Sequence, residues 1–170
     1  MVNNMTSLKT KPIAYILCGV PGSGKSTWIE NLAIRSGFWP KATVISTDNH
    51  IETWARVSNQ TYSEVFDEYI KTAASLMIED FNISKTFGQN IIWDQTNVSV
   101  KTRAKKLQML NGYRKIAVVF KTPDVEELQR RLDSRPGKHI PKHVMKSMID
   151  NFVLPTVEEG FDEIIFADNL

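Results

Sequence analysis

Residues 19–26 of this chain read Gly19-Val20-Pro21-Gly22-Ser23-Gly24-Lys25-Ser26, and Thr27 follows. The spacing matches G-x-x-x-x-G-K-S, the Walker A phosphate loop. Glycines let backbone N–H groups curl around an anion without Cβ clashes, a lysine reaches the β- and γ-phosphates, and a serine hydroxyl binds Mg²⁺. The sequence therefore predicts a site for ATP and Mg²⁺, with Ser26 on the metal and the phosphates held by Gly22, Ser23, Gly24, Lys25, Ser26 and Thr27.

The segments on either side of this loop have the patterns of a strand and a helix. The apolar run at residues 13–18 is typical of a buried parallel strand. Residues 27–35 are predicted to form a helix, whose N-terminus adds its positive dipole end to the site. The alternative is a glycine-rich turn that binds nothing. Strand, loop and helix follow one another in the order that phosphate binding requires, which favours the phosphate loop.

Strands and helices alternate along the rest of the chain. This pattern predicts a three-layer α/β domain, a P-loop NTPase/kinase fold with a five-stranded parallel sheet. Ligands are then expected at the carboxyl ends of the strands. Beyond the first strand, the predicted strands are residues 43–46, 90–93, 116–120 and 163–166.

Several residues mark where the predicted helices begin and end. Thr61 and Glu64 have the spacing of a capping box at the start of a long helix, and Gly88 lies where a C-cap glycine belongs. A later helix is expected to carry Pro123 at its first helical position. Pro141 is expected to open a last short helix.

Composition bounds the class of protein. The 170 residues, of which 42% are hydrophobic and 24% charged, suit one globular domain, predicted at residues 12–170. Residues 1–11 lack the apolar core of a secretory signal, so we expect a flexible tail. No apolar run is long enough to span a membrane, which argues against a membrane partner. The single cysteine, Cys18, is predicted to be a buried apolar residue, and its lack of a disulfide partner suits the cytoplasm.

The net charge of +2 hides an asymmetry. Residues 101–146 contain thirteen Lys or Arg against four acids, whereas residues 150–168 contain six acids and no base. A basic segment of this kind suggests a face that meets phosphates. For Lys101, Lys105 and Lys106 a solvated helix surface explains the charge equally well.

Two aspartates follow predicted strands at the edge where a site is expected. A carboxylate at Asp48 can accept the proton of an attacking hydroxyl or hold Mg²⁺ through water, and its structural alternative is a helix N-cap. Asp94 ends a mostly apolar strand of Walker B type, and it can order Mg²⁺ or orient the incoming hydroxyl. Thr96 and Asn97 follow, with a turn residue and a helix cap as their structural alternatives.

Five cations beyond the fourth strand suggest a lid: Arg130, Arg131, Arg135, Lys138 and Lys142. A guanidinium on a closing lid can stabilise the charge that spreads over a transferring phosphoryl group. Arg131 and Arg135 are four residues apart and are predicted to share a helix face, to bind ATP and to act in catalysis. Glu127 has the spacing to pair with Arg131 instead. Residues 131–140, charged and containing glycine, are expected to be mobile.

The tryptophans at positions 28, 39, 54 and 93 suggest stacking on bases, but for most of them packing in the core or on the surface is the preferred interpretation. Trp54 is the least certain of the four because it lies close after Asp48.

These motifs, together with Val144-Met145-Lys146-Ser147-Met148 after the lid, resemble the kinase domain of T4-type polynucleotide 5′-hydroxyl kinase from about Ile13 onward. The resemblance implies transfer of the ATP γ-phosphate to the 5′-OH of DNA or RNA, with a repair role that follows only from the family. It implies Asp48 as general base and Arg131 and Arg135 as lid arginines. It also implies an acceptor site lined by Asp94, Thr96, Asn97, Ile140, Pro141 and Val144.

The chain departs from that family at one position. The family carries an arginine three residues after its general base, where it grips an acceptor phosphate, but here that position is Ile51. Arg56 is the nearest replacement and is assigned to the acceptor site. The departure leaves open a P-loop kinase that acts on a nucleoside, a modified DNA base or a small metabolite.

A second resemblance competes with the first. The stretches Trp93 to Ser99, Gly112 to Lys115 and Asn151 to Ile164 are similar to the central P-loop domain of heterogeneous nuclear ribonucleoprotein U. That likeness implies an RNA-associated nucleotide-binding module without transferase activity. Asp48 separates the two, because a pure binding module has no use for a base beside the γ-phosphate.

Overall fold

The structure of the protein, a computed structural model, describes residues 10–34 and 42–167. Its strands are Ile13–Cys18 (β1), Ala42–Ile45 (β2), Asn90–Trp93 (β3), Arg114–Val119 (β4) and Glu163–Phe166 (β5). Its helices are Lys25–Ile34 (α1), Thr47–Ser58 (α2), Tyr62–Thr86 (α3), Val100–Met109 (α4), Val125–Asp133 (α5) and Lys142–Asp150 (α6), with a 3₁₀ turn at Val157–Glu159.

The five strands form one parallel sheet in the order β2-β3-β1-β4-β5. The predicted α/β fold is therefore confirmed. Ile16 of the central strand lies opposite Trp93 on one side and Ala117 on the other. Because all strands run the same way, the loops after β1 to β4 meet at one edge of the sheet, with β1 at the position where the strand order reverses.

The core lies on both faces of this sheet. Successive residues of β1 point to opposite faces, so Ile16 packs with Phe81 and Trp93, whereas Leu17 packs with Trp28. Trp28 and Trp93 are thus core residues, as predicted, and Cys18 is buried. Trp54 is 43% exposed and stacks on Tyr69, with the ring centroids 4.7 Å apart. Trp39 lies outside the described residues.

Some helix boundaries agree with the sequence and others differ. Thr61 and Glu64 form the predicted capping box, and Gly88 follows α3 with a φ of 61°. The prediction for Pro123 is wrong: α5 begins at Val125, and its N-cap is Asp124, whose carboxylate accepts from the Glu127 N–H. A carboxylate satisfies free amide groups of the first turn, which proline at the helix start cannot do.

Helix α2 connects the sheet to the long helix α3. Its Ile51 and Ala55 face α3, where they pack with Val65 and Ala73. Ser46, predicted as the end of β2, is instead the N-cap residue of α2.

Of the residues predicted to form an N-terminal tail, 10 and 11 are exposed and lack regular structure, and 1–9 lie outside the described part. Among the helices within residues 10–34 and 42–167, none is both long and apolar enough to cross a membrane.

Candidate active site

The phosphate loop connects β1 to α1 at the carboxyl edge of the sheet. Gly22 and Gly24 have φ values of 84° and 103°, a left-handed backbone that glycine adopts most readily. A Cβ atom at Gly22 would lie 2.8 Å from Leu128 of α5. Helix α1 begins directly at Lys25, so its free N–H groups and positive dipole end face the loop. The loop therefore has the geometry of an anion site.

Lys25 is held by the loop itself. Its Nζ donates to the carbonyls of Gly19 and Val20 at 2.9 and 3.0 Å. Burial lowers the pKa of Lys25 to about 8, and the negative charges of Asp94 and Asp48 oppose that shift. Asp48 follows β2 and Asp94 follows β3, so both lie at the sheet edge that carries the loop, as the sequence predicts.

The other loop side chains suit a polyanionic ligand. Ser26 and Thr27 are exposed at the start of α1. The Ser23 hydroxyl is buried and has no hydrogen-bond partner among the residues that the structure describes. A buried hydroxyl without a partner is costly, and a bound phosphate group would satisfy it.

The segment after β3 is attached to the phosphate loop. The Gly19 N–H donates to the Thr96 carbonyl at 2.9 Å, and the Asp94 N–H donates to the Ile45 carbonyl at 2.9 Å. Burial raises the pKa of Asp94, and the charge of Lys25 partly reverses this shift. Asp94 and Thr96 therefore lie beside the phosphate loop, at the edge where they were expected.

Asn97 occupies a different place from the one expected. It is 1% exposed, with a φ of 47°, and its amide donates to the Leu17 carbonyl at 2.7 Å. Its Oδ1 accepts from Lys106. It is not the helix cap either, because the hydroxyl of Ser99 accepts from the Thr102 N–H at the start of α4. The Asn97 side chain thus holds the loop onto β1.

Asp48 lies in the first turn of α2. The N-cap alternative is wrong, because that position belongs to Ser46. Asp48 Oδ1 accepts from the Tyr62 hydroxyl at 2.8 Å, and Oδ2 accepts from Lys138 Nζ at 2.6 Å. The carboxylate is 47% exposed. It is a charged, solvent-accessible oxygen acceptor near the phosphate loop.

The two positions after Asp48 that bear on the acceptor differ in exposure. Ile51 is fully buried between α2 and α3, so it lines no surface. Arg56 is exposed in the last turn of α2, eight residues and about 12 Å along the helix axis from Asp48.

Helix α5 packs on the phosphate loop through an arginine. Arg131 donates to the Gly22 carbonyl at 3.0 Å and to Glu127 Oε1 at 2.6 Å. Glu127 also accepts two bonds from Arg130, and the hydrogen bonds from Arg130 and Arg131 lower the pKa of Glu127 to about 2. The Glu127 pair, the structural alternative for Arg131, is therefore present, and Arg131 also contacts the phosphate loop.

The prediction that Arg131 and Arg135 share a helix face is wrong, because α5 ends at Asp133. Arg135 lies in the following turn, yet its charge still contributes to the lowered pKa of Lys25.

The rest of the predicted lid is docked on the start of α3. The Ser63 N–H donates to the Gly137 carbonyl, and the His139 N–H donates to the Ser63 hydroxyl, both at 2.9 Å. Lys138, between them, reaches Asp48 and also Glu52 Oε1 at 2.9 Å. A cavity of about 350 Å³ adjoins this segment, with Thr61, Arg135 and Lys138 in its wall.

Tyr62 and Lys138 were not identified as site residues from the sequence. Tyr62 belongs to none of the motifs found there, and Lys138 is one of five lid cations. Lys138 Nζ lies 4.1 Å from the centre of the Tyr62 ring, a cation–π contact. Burial, and next the charge of Asp48, raise the pKa of the Tyr62 hydroxyl, which keeps it a proton donor.

The predicted apolar wall lies farther along the lid. Ile140 packs with a small cluster of Val20, Leu128 and Met145. Pro141 is exposed as the N-cap of α6, and Val144 is half-buried. A groove of about 370 Å³ runs between α5 and α6, with Ile140 in its wall.

The basic and acidic segments partly neutralise each other. Arg103 is fully buried and forms a two-bond pair with Glu159 at 2.7 and 2.8 Å. Arg114 pairs with Glu163 at 2.6 Å. Lys101 and Lys105 remain exposed on α4. The surplus cations available to phosphates are therefore fewer than the sequence suggests.

Comparison with known proteins places these features in a family context. The profile of the AAA domain family matches residues 15–155. A candidate bifunctional polynucleotide phosphatase/kinase of Acanthamoeba polyphaga mimivirus is 28% identical over an alignment of 162 residues, and the match covers 88% of this chain and 31% of the viral protein. The chain thus spans less than a third of that relative.

Solved structures share the fold. A chain of the Pnkp1/Rnl/Hen1 RNA repair complex superposes with a TM-score of 0.64 at 23% identity, covering 89% of this chain and 46% of that one. A gluconokinase from Sinorhizobium meliloti superposes with a TM-score of 0.52 at 15% identity, covering 93% of this chain and 83% of that one. At these identities the likeness establishes the fold alone.

Proposed function

The chain belongs to the AAA domain family, and we propose that it is an ATP-dependent kinase that transfers the γ-phosphate of ATP to the 5′-hydroxyl of a DNA or RNA strand. One observation carries the proposal: the accessible Asp48 carboxylate lies in the first turn after β2, at the sheet edge where the segment after β3 bonds both to Ile45 of β2 and to Gly19 of the phosphate loop. The likeness to the mimivirus polynucleotide phosphatase/kinase supports a nucleic-acid acceptor.

ATP is the phosphate donor in this proposal. Its phosphates are held by the loop from Gly22 to Thr27, where the left-handed glycines and the partnerless Ser23 hydroxyl fit an anion. Lys25 exchanges its two carbonyl partners for phosphate oxygens. Arg131, already on the Gly22 carbonyl, and Arg135 stabilise the negative charge that spreads over the transferring group.

Ser26 and Asp94 are the residues that would hold Mg²⁺. Ser26 is exposed at the start of α1, Asp94 follows β3 at the same edge of the sheet, and oxygen ligands of these types suit this cation. Held there, Mg²⁺ would supply positive charge to offset the negative charge of the ATP phosphates.

Asp48 acts as the general base. The acceptor oxygen forms a bond to the γ-phosphorus, the bond from that phosphorus to the bridging oxygen breaks, and ADP leaves with the electron pair. The hydroxyl proton passes to Asp48. Most of the rate enhancement comes from positioning and from charge stabilisation, as in other phosphoryl transfers.

The acceptor strand lies on the side of Asp94 and Thr96, and its terminal base lies toward the wall of Ile140, Pro141 and Val144. Arg56, about 12 Å beyond Asp48 along α2, suits a phosphate farther along the strand rather than the reacting end. Exposed Lys101 and Lys105 add contacts that position the strand without reading its sequence.

A second candidate keeps the kinase but changes the acceptor to a nucleoside, a modified DNA base or a small metabolite. Full burial of Ile51 favours it, because α2 then offers no cation directly beside Asp48. The third reading, an RNA-associated binding module without transferase activity, remains a prediction from resemblance.

One assay ranks these possibilities. The protein is incubated with ATP radiolabelled at the γ-phosphate and with 5′-OH DNA, 5′-OH RNA, a nucleoside or gluconate. We expect label on the oligonucleotides, with activity that falls steeply as salt rises because several phosphates are contacted. Label only on a small molecule would show that the acceptor is not a nucleic acid. ATP binding without any labelled product would support the binding module without transferase activity.

A further inference from the structure

Both carboxylate oxygens of Asp48 are hydrogen bonded before any acceptor arrives. Tyr62 donates to Oδ1 at 2.8 Å, and Lys138 donates to Oδ2 at 2.6 Å. The oxygen nearest a lysine ammonium carries a charge-assisted bond, which is about twice as strong as a neutral one. A molecule that needs Asp48 as its base must therefore compete with Lys138.

The backbone holds Lys138 in this place. Gly137 has a φ of 73°, and a Cβ atom there would lie 2.8 Å from Cβ of Thr61, so the chain passes close to the start of α3. Hydrogen bonds from the Ser63 N–H to the Gly137 carbonyl and from the His139 N–H to the Ser63 hydroxyl fix residues on both sides. The Lys138 side chain is only 14% exposed. The fold therefore fixes the Lys138 ammonium beside Asp48.

Lys138 also has a second partner. Its Nζ lies 2.9 Å from Glu52 Oε1, four residues after Asp48 on the same helix face. The Glu52 side chain is 56% exposed. When the ammonium leaves Asp48 it therefore keeps one carboxylate, and its release leaves no buried charge unpaired.

We propose that Lys138 is a specificity-determining residue that excludes water as the acceptor, because its ammonium covers the base until a bound alcohol displaces it. The inference rests on the proposed function, in which Asp48 is the base. An alcohol acceptor gains binding energy from the rest of its structure and can use it to displace Lys138. Water brings no such energy.

The two competing reactions have the same balance. In each, an oxygen forms a bond to the γ-phosphorus of ATP, the bond to the bridging oxygen breaks, ADP takes the electron pair, and the attacking group's proton passes to Asp48. The alcohol gives a phosphate ester and water gives inorganic phosphate. The ratio of ester to inorganic phosphate therefore reports how well the site excludes water.

The test measures release of inorganic phosphate from ATP without acceptor, and ester formation with a 5′-OH oligonucleotide. For Lys138→Met we expect acceptor-free hydrolysis to rise about tenfold, the effect of losing one charge-assisted hydrogen bond. Lys138→Arg, which keeps the charge, stays near the wild-type rate. Lys71→Met, at an exposed lysine of α3, leaves both rates unchanged.

A double variant, Asp48→Asn with Lys138→Met, returns hydrolysis to the wild-type level or below if the added rate runs through Asp48. Lys138→Gln is measured beside Lys138→Met, and ATP affinity is measured for each, so that a folding defect in one variant does not decide the result. Hydrolysis that does not rise in a folded, ATP-binding variant overturns the proposal, as does a rise that survives Asp48→Asn.

The outcome is separable from that of the proposed function. Wild-type protein that labels oligonucleotides, with a Lys138 variant whose hydrolysis is unchanged, refutes the role of Lys138 alone. Wild-type protein that labels no nucleic acid, with a Lys138 variant whose Asp48-dependent hydrolysis rises, refutes the acceptor and supports the role of Lys138.

Discussion

The two halves of the site are built in contrasting ways. The phosphate loop lies within eight consecutive residues and satisfies its own lysine, since Lys25 donates to the carbonyls of Gly19 and Val20. The surroundings of Asp48 come from distant parts of the chain: Tyr62 is 14 residues away and Lys138 is 90 residues away. A local motif defines where phosphates bind, whereas tertiary packing defines the environment of the proposed base.

This difference has a functional consequence. Changes in the phosphate loop and in the arginine that touches it should alter both ATP binding and transfer. Changes around Asp48 should alter transfer while ATP binding is retained. Variants in the two halves can therefore be told apart by measuring ATP affinity beside kcat.

Among variants on the phosphate-loop side of the site, the largest effect is expected for Lys25→Ala. Removing the one cation that the loop surrounds should lower transfer by roughly 10²–10³-fold, as for loss of a charge-stabilising group, and should weaken ATP binding as well. Isothermal titration with ATP and a transfer assay check both parts. ATP affinity that stays at the wild-type level would contradict the role given to the loop.

A smaller effect, about 10²-fold in kcat/KM for ATP, is expected for Arg131→Ala, because its guanidinium touches the phosphate loop at Gly22. Arg130→Ala is the matched control, since Arg130 binds the same Glu127 and no atom of the loop. Equal losses in the two variants would show that the contact with the loop does not matter.

The pH dependence of ATP binding is a third test. Burial lowers the pKa of Lys25 from 10.5 to about 8, so the free protein loses this proton above pH 8 and ATP binding must restore it. ATP affinity should therefore fall by up to about tenfold per pH unit above 8 and be flat below it. The same linkage affects folding. Between pH 8 and 10.5 the unfolded chain keeps the Lys25 proton that the folded protein has lost, so the free energy of unfolding rises with pH in this range.

Lys25→Arg should remove this pH dependence of affinity, because arginine stays charged throughout the range. Titrations in buffers of different ionisation enthalpy measure the proton uptake directly. An affinity profile for the wild-type protein that matches that of the arginine variant would contradict the assignment.

The smallest effect is expected for Tyr62→Phe. The variant keeps the ring that packs against Phe66 and Lys138 but loses the hydrogen bond to Asp48 Oδ1. We expect kcat for transfer to fall about tenfold or less, the value of one hydrogen bond to a charged group, with KM for ATP unchanged. A matching loss of ATP affinity would show instead that Tyr62 acts on ATP binding at the phosphate loop.

The sequence predicts the phosphate loop and most of the sheet because both have local signals. The strands at residues 90–93 and 163–166 match the structure residue for residue, and the capping box at Thr61 is present. The strands follow from runs of apolar residues, and the capping box follows from two residues three positions apart, so neighbouring positions suffice to predict them.

The remaining features depend on contacts between distant residues. Asn97 looks like a helix cap in sequence, but the carbonyl of Leu17, 80 residues earlier, engages its amide. Arg135 has helical spacing from Arg131, yet α5 ends before it. Lys138 reaches Asp48 across 90 residues of sequence, a contact that no local pattern encodes.

The most direct test of the proposed chemistry is Asp48→Asn, measured for ATP affinity and for transfer of γ-phosphate to a 5′-OH oligonucleotide in the same preparation. Loss of a general base should lower kcat by roughly 10²–10⁴-fold, while the dissociation constant for ATP stays close to that of the wild type. Transfer at the wild-type rate by the folded variant would contradict Asp48 as the base.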